Sequence, residues 1–316
     1  MIPLVRRFPG LSRIPRVVLG HGTTPVVSLP LAESLWMKRD DLYADPIGGN
    51  KVRALEFLFG ELKKGEDVVT VGSAGSTHAL AVATYGKRLG ARVRVGRWRQ
   101  EMNETATRVA AQLERIAQQS RTFRNPVGAY AWALTHAARG ATWIPAGGSV
   151  PLGVIGHVNA GLELVDQIEH NALPEPRFVV VPLGTGGTAA GLSLAFAIAG
   201  RPITVVGARV VPRIVARRSH VARLARRTAR LIEHISGTPV RKPDLQNFVV
   251  ANETYGGAYG RETDAARAAA ERIRTVSRVR LDGTYSAKAF AHALDLAARG
   301  PTLFWLTFDS RILGTS

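Results

Sequence analysis

Short apolar runs alternate along this chain with longer stretches whose apolar positions recur at helical spacing. Strands are predicted at 35–38, 67–71, 91–95, 142–144, 178–183, 203–211, 248–250 and 302–307. Helices are predicted from Asn50 to about 63, from the 72–78 segment to about 89, then over 102–119, 127–138, 152–170, 188–199, 262–275 and 286–298. Between Arg213 and Arg230, the run RIVARRSHVARLARRTAR reads as one more helix. Its arginines would face outward, with Ile214, Val215, Val221, Leu224 and Leu231 inward. This alternation predicts parallel sheets joined by crossover helices. The prolines of 171–176 mark a boundary before the apolar strand at 178–183.

At 316 residues the chain is long enough for two domains or one large one. No stretch reaches the roughly eighteen uncharged apolar residues of a membrane span. The opening MIPLVRRFPG has two arginines with no apolar run behind them, so a secretory signal is not expected. The absence of cysteine excludes disulfides and thiolate sites and fits a cytoplasmic protein. Charge changes the picture more. With 42 basic residues against 24 acidic, the net charge is +18, which admits a nucleic-acid-binding reading. No aromatics interleave the arginines of 213–230, and no zinc-finger, homeodomain or RNP pattern occurs, so no specific nucleic acid is expected.

The candidate chemistry sits at glycine-rich strand-to-helix junctions. Gly48-Gly49-Asn50-Lys51-Val52-Arg53 puts Asn50 at a predicted N-cap and Lys51 on the first helical turn. A cation there faces the positive end of the helix dipole. The placement suits a lysine that must be a neutral nucleophile part of the time, and pyridoxal phosphate (PLP) is the commonest carbonyl partner of such an amine. After the strand at 178–183, Gly184-Thr185-Gly186-Gly187-Thr188 offers backbone N–H groups and hydroxyls to a phosphate. Gly184, Gly186 and Ala189 also fit a dinucleotide fingerprint. The next strand supplies Arg209 and no carboxylate, so that reading survives only as an NADP variant. A third junction, Gly72-Ser73-Ala74-Gly75-Ser76-Thr77-His78, could hold a carboxylate or simply cap a helix. Tyr259 and Tyr285 lie in glycine-flanked loops. The eight histidines show no metal-binding spacing, and no metal is expected.

Taken in order, Lys38-Arg39-Asp40-Asp41, Gly48 to Arg53, Ile144 to Ser149 with Pro151-Leu152-Gly153, Gly184 to Thr188, and Leu281 to Lys288 resemble the 1-aminocyclopropane-1-carboxylate deaminase/D-cysteine desulfhydrase family. The resemblance spans about residues 10 to 300. It implies the tryptophan synthase β-like PLP fold of type II, with two three-layer α/β/α domains. The large domain would comprise 1–54 plus 164–316, and the small domain 55–163. Lys51 would bind the cofactor covalently, with Asn50 beside it. Gly184, Thr185, Gly186, Gly187 and Thr188 would hold its phosphate. Ser76 would meet the substrate carboxylate and reacting carbon, Tyr259 and Tyr285 would line the substrate side, and Ser286 would face the pyridine nitrogen. Two positions depart from the pattern. Thr77 stands where an asparagine usually contacts the cofactor, and Leu306-Thr307-Phe308-Asp309-Ser310 replaces a His-Thr-Gly-Gly-like loop.

Ring-opening deaminases of the family have Glu at the position of Ser286, and desulfhydrase-like members have Thr. A hydroxyl leaves the ring nitrogen largely neutral, which favours α-proton removal with β-elimination from a small amino acid to keto acid and ammonia. Opening of the cyclopropane ring, altered or lost catalysis, and nucleic-acid binding stay open as alternatives. The resemblance also implies a homodimer with no membrane partner.

Overall fold

The computed structural model describes residues 1–243 and 245–313. The chain opens with α1 (Pro3–Arg7) and an antiparallel pair, β1 (Val26–Ser28) and β2 (Leu35–Arg39). α2 (Asn50–Leu58), β3 (Asp67–Ser73), α3 (Thr77–Arg88), β4 (Arg92–Trp98), α4 (Glu104–Ile116), β5 (Gln119–Phe123), α5 (Pro126–Ala137) and β6 (Thr142–Ile144) follow. The long α6 (Pro151–Glu169) leads to β7 (Phe178–Leu183), α7 (Gly187–Ala199), β8 (Thr204–Arg209), α8 (Arg218–Ser236), β9 (Phe248–Ala251), α9 (Asp264–Val276), α10 (Ser286–Ala297) and β10 (Thr302–Leu306).

Two sheets result. One has six strands in the order β1-β2-β10-β7-β8-β9, parallel except for β1. The other has four parallel strands in the order β5-β4-β3-β6. The unbroken apolar run of β7 reflects burial on both faces. Val179, Val181 and Leu183 join α6, α7 and α8 in one core, while Phe178 and Val180 join α9 and α10 in another. β10 divides in the same way, with Leu303 and Trp305 to the first core and Phe304 and Leu306 to the second. The smaller sheet is also covered on both sides. Residues of α3 and α4 form one core with Val68, Val93 and Val95, and α5 meets Val69 and Val71 on the other face. Both halves are therefore α/β/α sandwiches.

The sequence expectations need four corrections. Helix α2 ends at Leu58, not near 63, because Gly60 passes against the Pro15 carbonyl, where any Cβ would clash. Its N-cap is Gly49, at φ +96°, and Asn50 is the first helical residue. Residues 119–123 form the edge strand β5 rather than a helix end; they pair with β4 while keeping a polar, exposed sequence. Finally, the arginine helix begins at Arg218 after a turn in which the Val215 N–H bonds to the Pro212 carbonyl. Ile214 and Val215, expected inside, fall outside its register and are 70% and 39% exposed. Within α8 the expected division holds for Val221 and Leu224, which are buried, and for Arg223, Arg226, Arg227 and Arg230, which face outward; Leu231, expected inside, is only partly buried against the core. Among the described residues no helix is long and apolar enough to cross a membrane.

Candidate active site

The carboxyl ends of β3, β4, β7, β8 and β10 converge on one cavity of about 410 Å³. That is where parallel α/β sheets place their ligands, and the size suits a small-molecule site. Its walls include Asn50, Lys51, Ser76, Thr77, Gly184, Thr185, Tyr259 and Tyr285. Eight of the expected site residues thus come together from segments that are far apart in sequence. Gly186, Gly187, Thr188 and Ser286 stand behind these walls.

Lys51 lines this cavity. It lies deep in the protein, yet part of its side chain is reached from the cavity. Burial lowers its pKa to about 8, and among the described residues no carboxylate or hydrogen-bond acceptor offsets that effect. His78 and His157 flank it. Burial, then the charge of Lys51, depresses both; His78 falls to about 3, and both rings are neutral near pH 7. His78 is further held by Thr70, at 3.3 Å, and by the Pro145 backbone. Neither histidine was singled out from the sequence, because single histidines eighty residues apart carry no local signal.

The helix that bears Lys51 is clamped from below. Arg53 bonds Asp40 at 2.7 and 2.9 Å and Glu163 at 2.9 and 3.1 Å, and its guanidinium lies 4.0 Å from the centroid of the Tyr43 ring. Lys38 bonds Glu163 at 2.5 Å, and the Trp305 indole donates to Asp40 at 2.7 Å. All four charged side chains are essentially inaccessible to solvent. Burial alone would raise the two carboxyl pKa values; Arg53 and Lys38 outweigh it and hold both below their ordinary range. Two buried cations thus balance two buried anions, the condition under which such groups are tolerated in a core. The segment at 306–310 closes the other side of the Lys51 loop. The Thr307 carbonyl accepts from Asn50 N–H, and the Asp309 carboxylate accepts from Gly48 N–H at 2.7 Å.

The glycine-rich turn after β7 leads directly into a helix start. Gly186, at φ +86°, caps α7, whose first intrahelical bond runs from Ala190 N–H to the Gly186 carbonyl. The preceding N–H groups are the orphan donors of a helix start. Asn50 Nδ2 donates to Thr188 Oγ1 at 2.6 Å, which ties the turn to the Lys51 helix. Thr185 shares a 2.6 Å hydrogen bond with Ser149, and a Cβ at Gly147 would overlap the Thr185 hydroxyl.

Ser76 caps α3 by accepting from Ala79 N–H at 3.2 Å, so its hydroxyl serves the helix while facing the cavity. Tyr259 and Tyr285 share a short hydroxyl–hydroxyl contact, and Ser73 donates to Tyr259 at 3.3 Å. Burial raises both phenol pKa values, so both are protonated at neutral pH. Asp282 accepts from the N–H groups of Thr284, Tyr285 and Ser286 at the start of α10. Burial raises the pKa of the Asp282 carboxyl above its ordinary range, only partly offset by the Ser286 hydroxyl and the backbone N–H groups, and the fully buried Ser286 hydroxyl has no partner in hydrogen-bonding geometry. A separate, larger hollow of about 810 Å³ lies on the surface between Arg213–Ser219 and β9 and shares no residue with this cavity. Among the described residues, no group of three metal-ligating side chains gathers.

A model of the pyridoxal-phosphate dependent enzyme family matches residues 17–302, and the chain belongs to that family. Among curated relatives, a Pyrococcus furiosus protein with the provisional name 1-aminocyclopropane-1-carboxylate deaminase is 32% identical over 92% of this chain and 89% of its own. Nocardicin C-9' epimerase of Nocardia uniformis is also 32% identical, over 96% of this chain and 94% of its own. D-cysteine desulfhydrase of Salmonella typhi is 27% identical over 93% and 94%. A solved ACC deaminase homologue superposes with a TM-score of 0.80 at 29% identity, covering 96% of this chain and 94% of that one. The fold is thus the tryptophan synthase β-like, type II fold of PLP enzymes, and the family's cofactor is PLP.

The cavity fits that cofactor. An unpaired amine lines the cavity, open helix-start donors and hydroxyls suit a phosphate, and the Ser286 hydroxyl is left without a partner.

Proposed function

We propose that this PLP-dependent enzyme is a lyase/deaminase. In this reading it removes the α-proton of an amino acid and expels a β-substituent, in the manner of a D-cysteine desulfhydrase. The observation that carries the reading is the Lys51 amine, unpaired, with its pKa lowered to about 8 by burial, at the cavity that also meets the Gly184–Thr188 turn. Lys51 would hold the cofactor's aldehyde carbon, and Gly184, Thr185, Gly186, Gly187 and Thr188 its phosphate, with Asn50 and Thr77 beside it and Ser286 at its ring. When bound, PLP supplies an electron sink for the carbanion at Cα.

The residues of the chain do the rest. The N–H groups and hydroxyl at Ser76 and Thr77 orient the substrate carboxylate at the start of α3. Lys51 Nζ, released and neutral, takes the α-proton. The protonated phenols of Tyr259 and Tyr285 can donate to a departing β-group, which leaves with its bonding pair. Water then hydrolyses the enamine to keto acid and ammonia.

The division into a large domain (1–54 plus 164–316) and a small one (55–163) belongs to the same proposal. The four-stranded sheet falls wholly within 55–163 and the six-stranded sheet wholly outside it. Movement between the two would exclude water. A homodimer acting in the cytoplasm is likewise proposed.

A second reading, ring opening of 1-aminocyclopropane-1-carboxylate, is favoured by the name of the Pyrococcus relative. One panel tests both: D- and L-cysteine, D- and L-serine and 1-aminocyclopropane-1-carboxylate, scored for keto acid and for deuterium uptake at Cα. Pyruvate from cysteine or serine supports elimination. 2-Oxobutanoate from the cyclopropane substrate supports the second reading. Deuterium uptake without any keto acid would refute both.

A further inference from the structure

The cavity that Lys51 lines also carries a cluster of aromatic and apolar side chains. On the side of the four-stranded sheet, Trp98 and Tyr130 stack with ring centroids 6.2 Å apart and an interplanar angle of 22°. Tyr130 packs edge-on against Trp143 at 5.9 Å, and its phenol bonds to the Ala146 backbone, so the ring is fixed from two directions. Both Trp98 and Tyr130 are half-buried and line the cavity. Val211, Pro212 and Val215 add an uncharged, apolar part to the same lining. Fixed aromatic faces of this kind favour flat, apolar partners.

Arg99 stands at the rim. Its backbone N–H bonds to the Phe123 carbonyl, which anchors the residue at the end of β4. The residue is exposed, lines the cavity and has no ion pair or side-chain hydrogen bond among the described residues. The neighbouring Gln100 is already engaged, accepting from Gly75 N–H and donating to the Glu101 carbonyl. Arg99 is therefore the free donor group at this edge, and its planar fork suits a carboxylate.

We infer that the substrate is an amino acid whose side chain is aromatic and ends in an acidic group. The ring lies along Trp98 and Tyr130, and the anion reaches Arg99. This inference rests on the PLP reading and narrows its substrate class.

The test is a titration of the PLP-loaded enzyme with alanine, phenylalanine and 4-carboxyphenylalanine, each as both enantiomers, read from the shift of the cofactor's absorbance band. 4-Carboxyphenylalanine should bind about tenfold or more tightly than phenylalanine, and phenylalanine more tightly than alanine. Arg99→Gln should bring the ratio of the two aromatic affinities to about one, and Arg99→Lys should restore it in part. Trp98→Leu should weaken both aromatic ligands relative to alanine. Alanine binding as tightly as either aromatic compound would overturn the inference, as would an affinity ratio indifferent to Arg99. If those results came with an intact, Lys51-dependent absorbance band, only the substrate class would fall. Absence of the band itself would remove the PLP reading and this inference with it.

Discussion

In the cofactor-free protein, replacing Lys51 with methionine should increase stability, by an amount that depends on pH. Burial moves the lysine from 10.5 to about 8 in the folded protein. That displacement corresponds to about 3 kcal/mol of unfavourable charge burial below pH 8. Between the two pKa values the unfolded chain binds more protons than the folded one, so wild-type stability rises with pH across that window. Lys51→Met has no such penalty and a similar length. It should be more stable than wild type by about 3 kcal/mol at pH 7, by about half that at pH 9.5, and by little above pH 10.5. Urea unfolding of both PLP-free proteins at pH 7 and 9.5 measures this, because other titrating groups are common to the pair. An equal difference at both pH values would mean that packing, not charge, separates them. Greater stability of wild type at pH 7 would mean that the amine has a partner, and the argument for a poised nucleophile would fail. The same displacement leaves about a tenth of the amine neutral at pH 7, against well under a thousandth for an ordinary lysine.

Gly147→Ala places a Cβ on the Thr185 hydroxyl at a residue with φ +72°. It should weaken PLP binding about tenfold in an absorbance titration, since the strained backbone alone costs about 1–2 kcal/mol. Glu163→Gln leaves Lys38 and Arg53 facing Asp40 alone, and the midpoint of urea unfolding should fall by an amount equivalent to about 3–5 kcal/mol. The exposed helical pair Glu104–Arg108 gives the contrast: Glu104→Gln should change stability by no more than about 0.5 kcal/mol. Tyr285→Phe should lower kcat about a hundredfold while keeping the cofactor's absorbance band, as expected for a lost proton donor rather than a lost binding site.

The parts of the molecule that were legible in sequence are those with local causes. β7 and β10 announce themselves as apolar runs, and α8 by its period, because each buries a face that its own residues define. The Lys51 and Gly184 junctions were visible because glycine, a helix start and a cation or hydroxyl lie within a few residues of one another. Features decided by distant partners were hidden. β5 is polar and exposed, and only its pairing with β4 makes it a strand. Asn50 reads as an N-cap, but its side chain is drawn across to Thr188 and Gly49 takes the cap. Asp40 and Asp41 look like an acidic loop, yet both are buried, and Asp40 meets an arginine thirteen positions on and an indole near the C-terminus. Ile214 and Val215 precede the helix start at Arg218, so the helical period does not govern their burial.

Lys51 should carry the cofactor covalently, and borohydride reduction tests this directly. Lys38 and Lys288 are also largely withdrawn from solvent, but their amines are engaged, by Glu163 at 2.5 Å and by the Tyr255 carbonyl at 2.8 Å. Reduction of the PLP-loaded protein, followed by proteolysis and mass spectrometry, should place the pyridoxyl group on Lys51 and on no other lysine. A label on Lys38 or Lys288, or an absorbance band that survives in Lys51→Ala, would contradict the account.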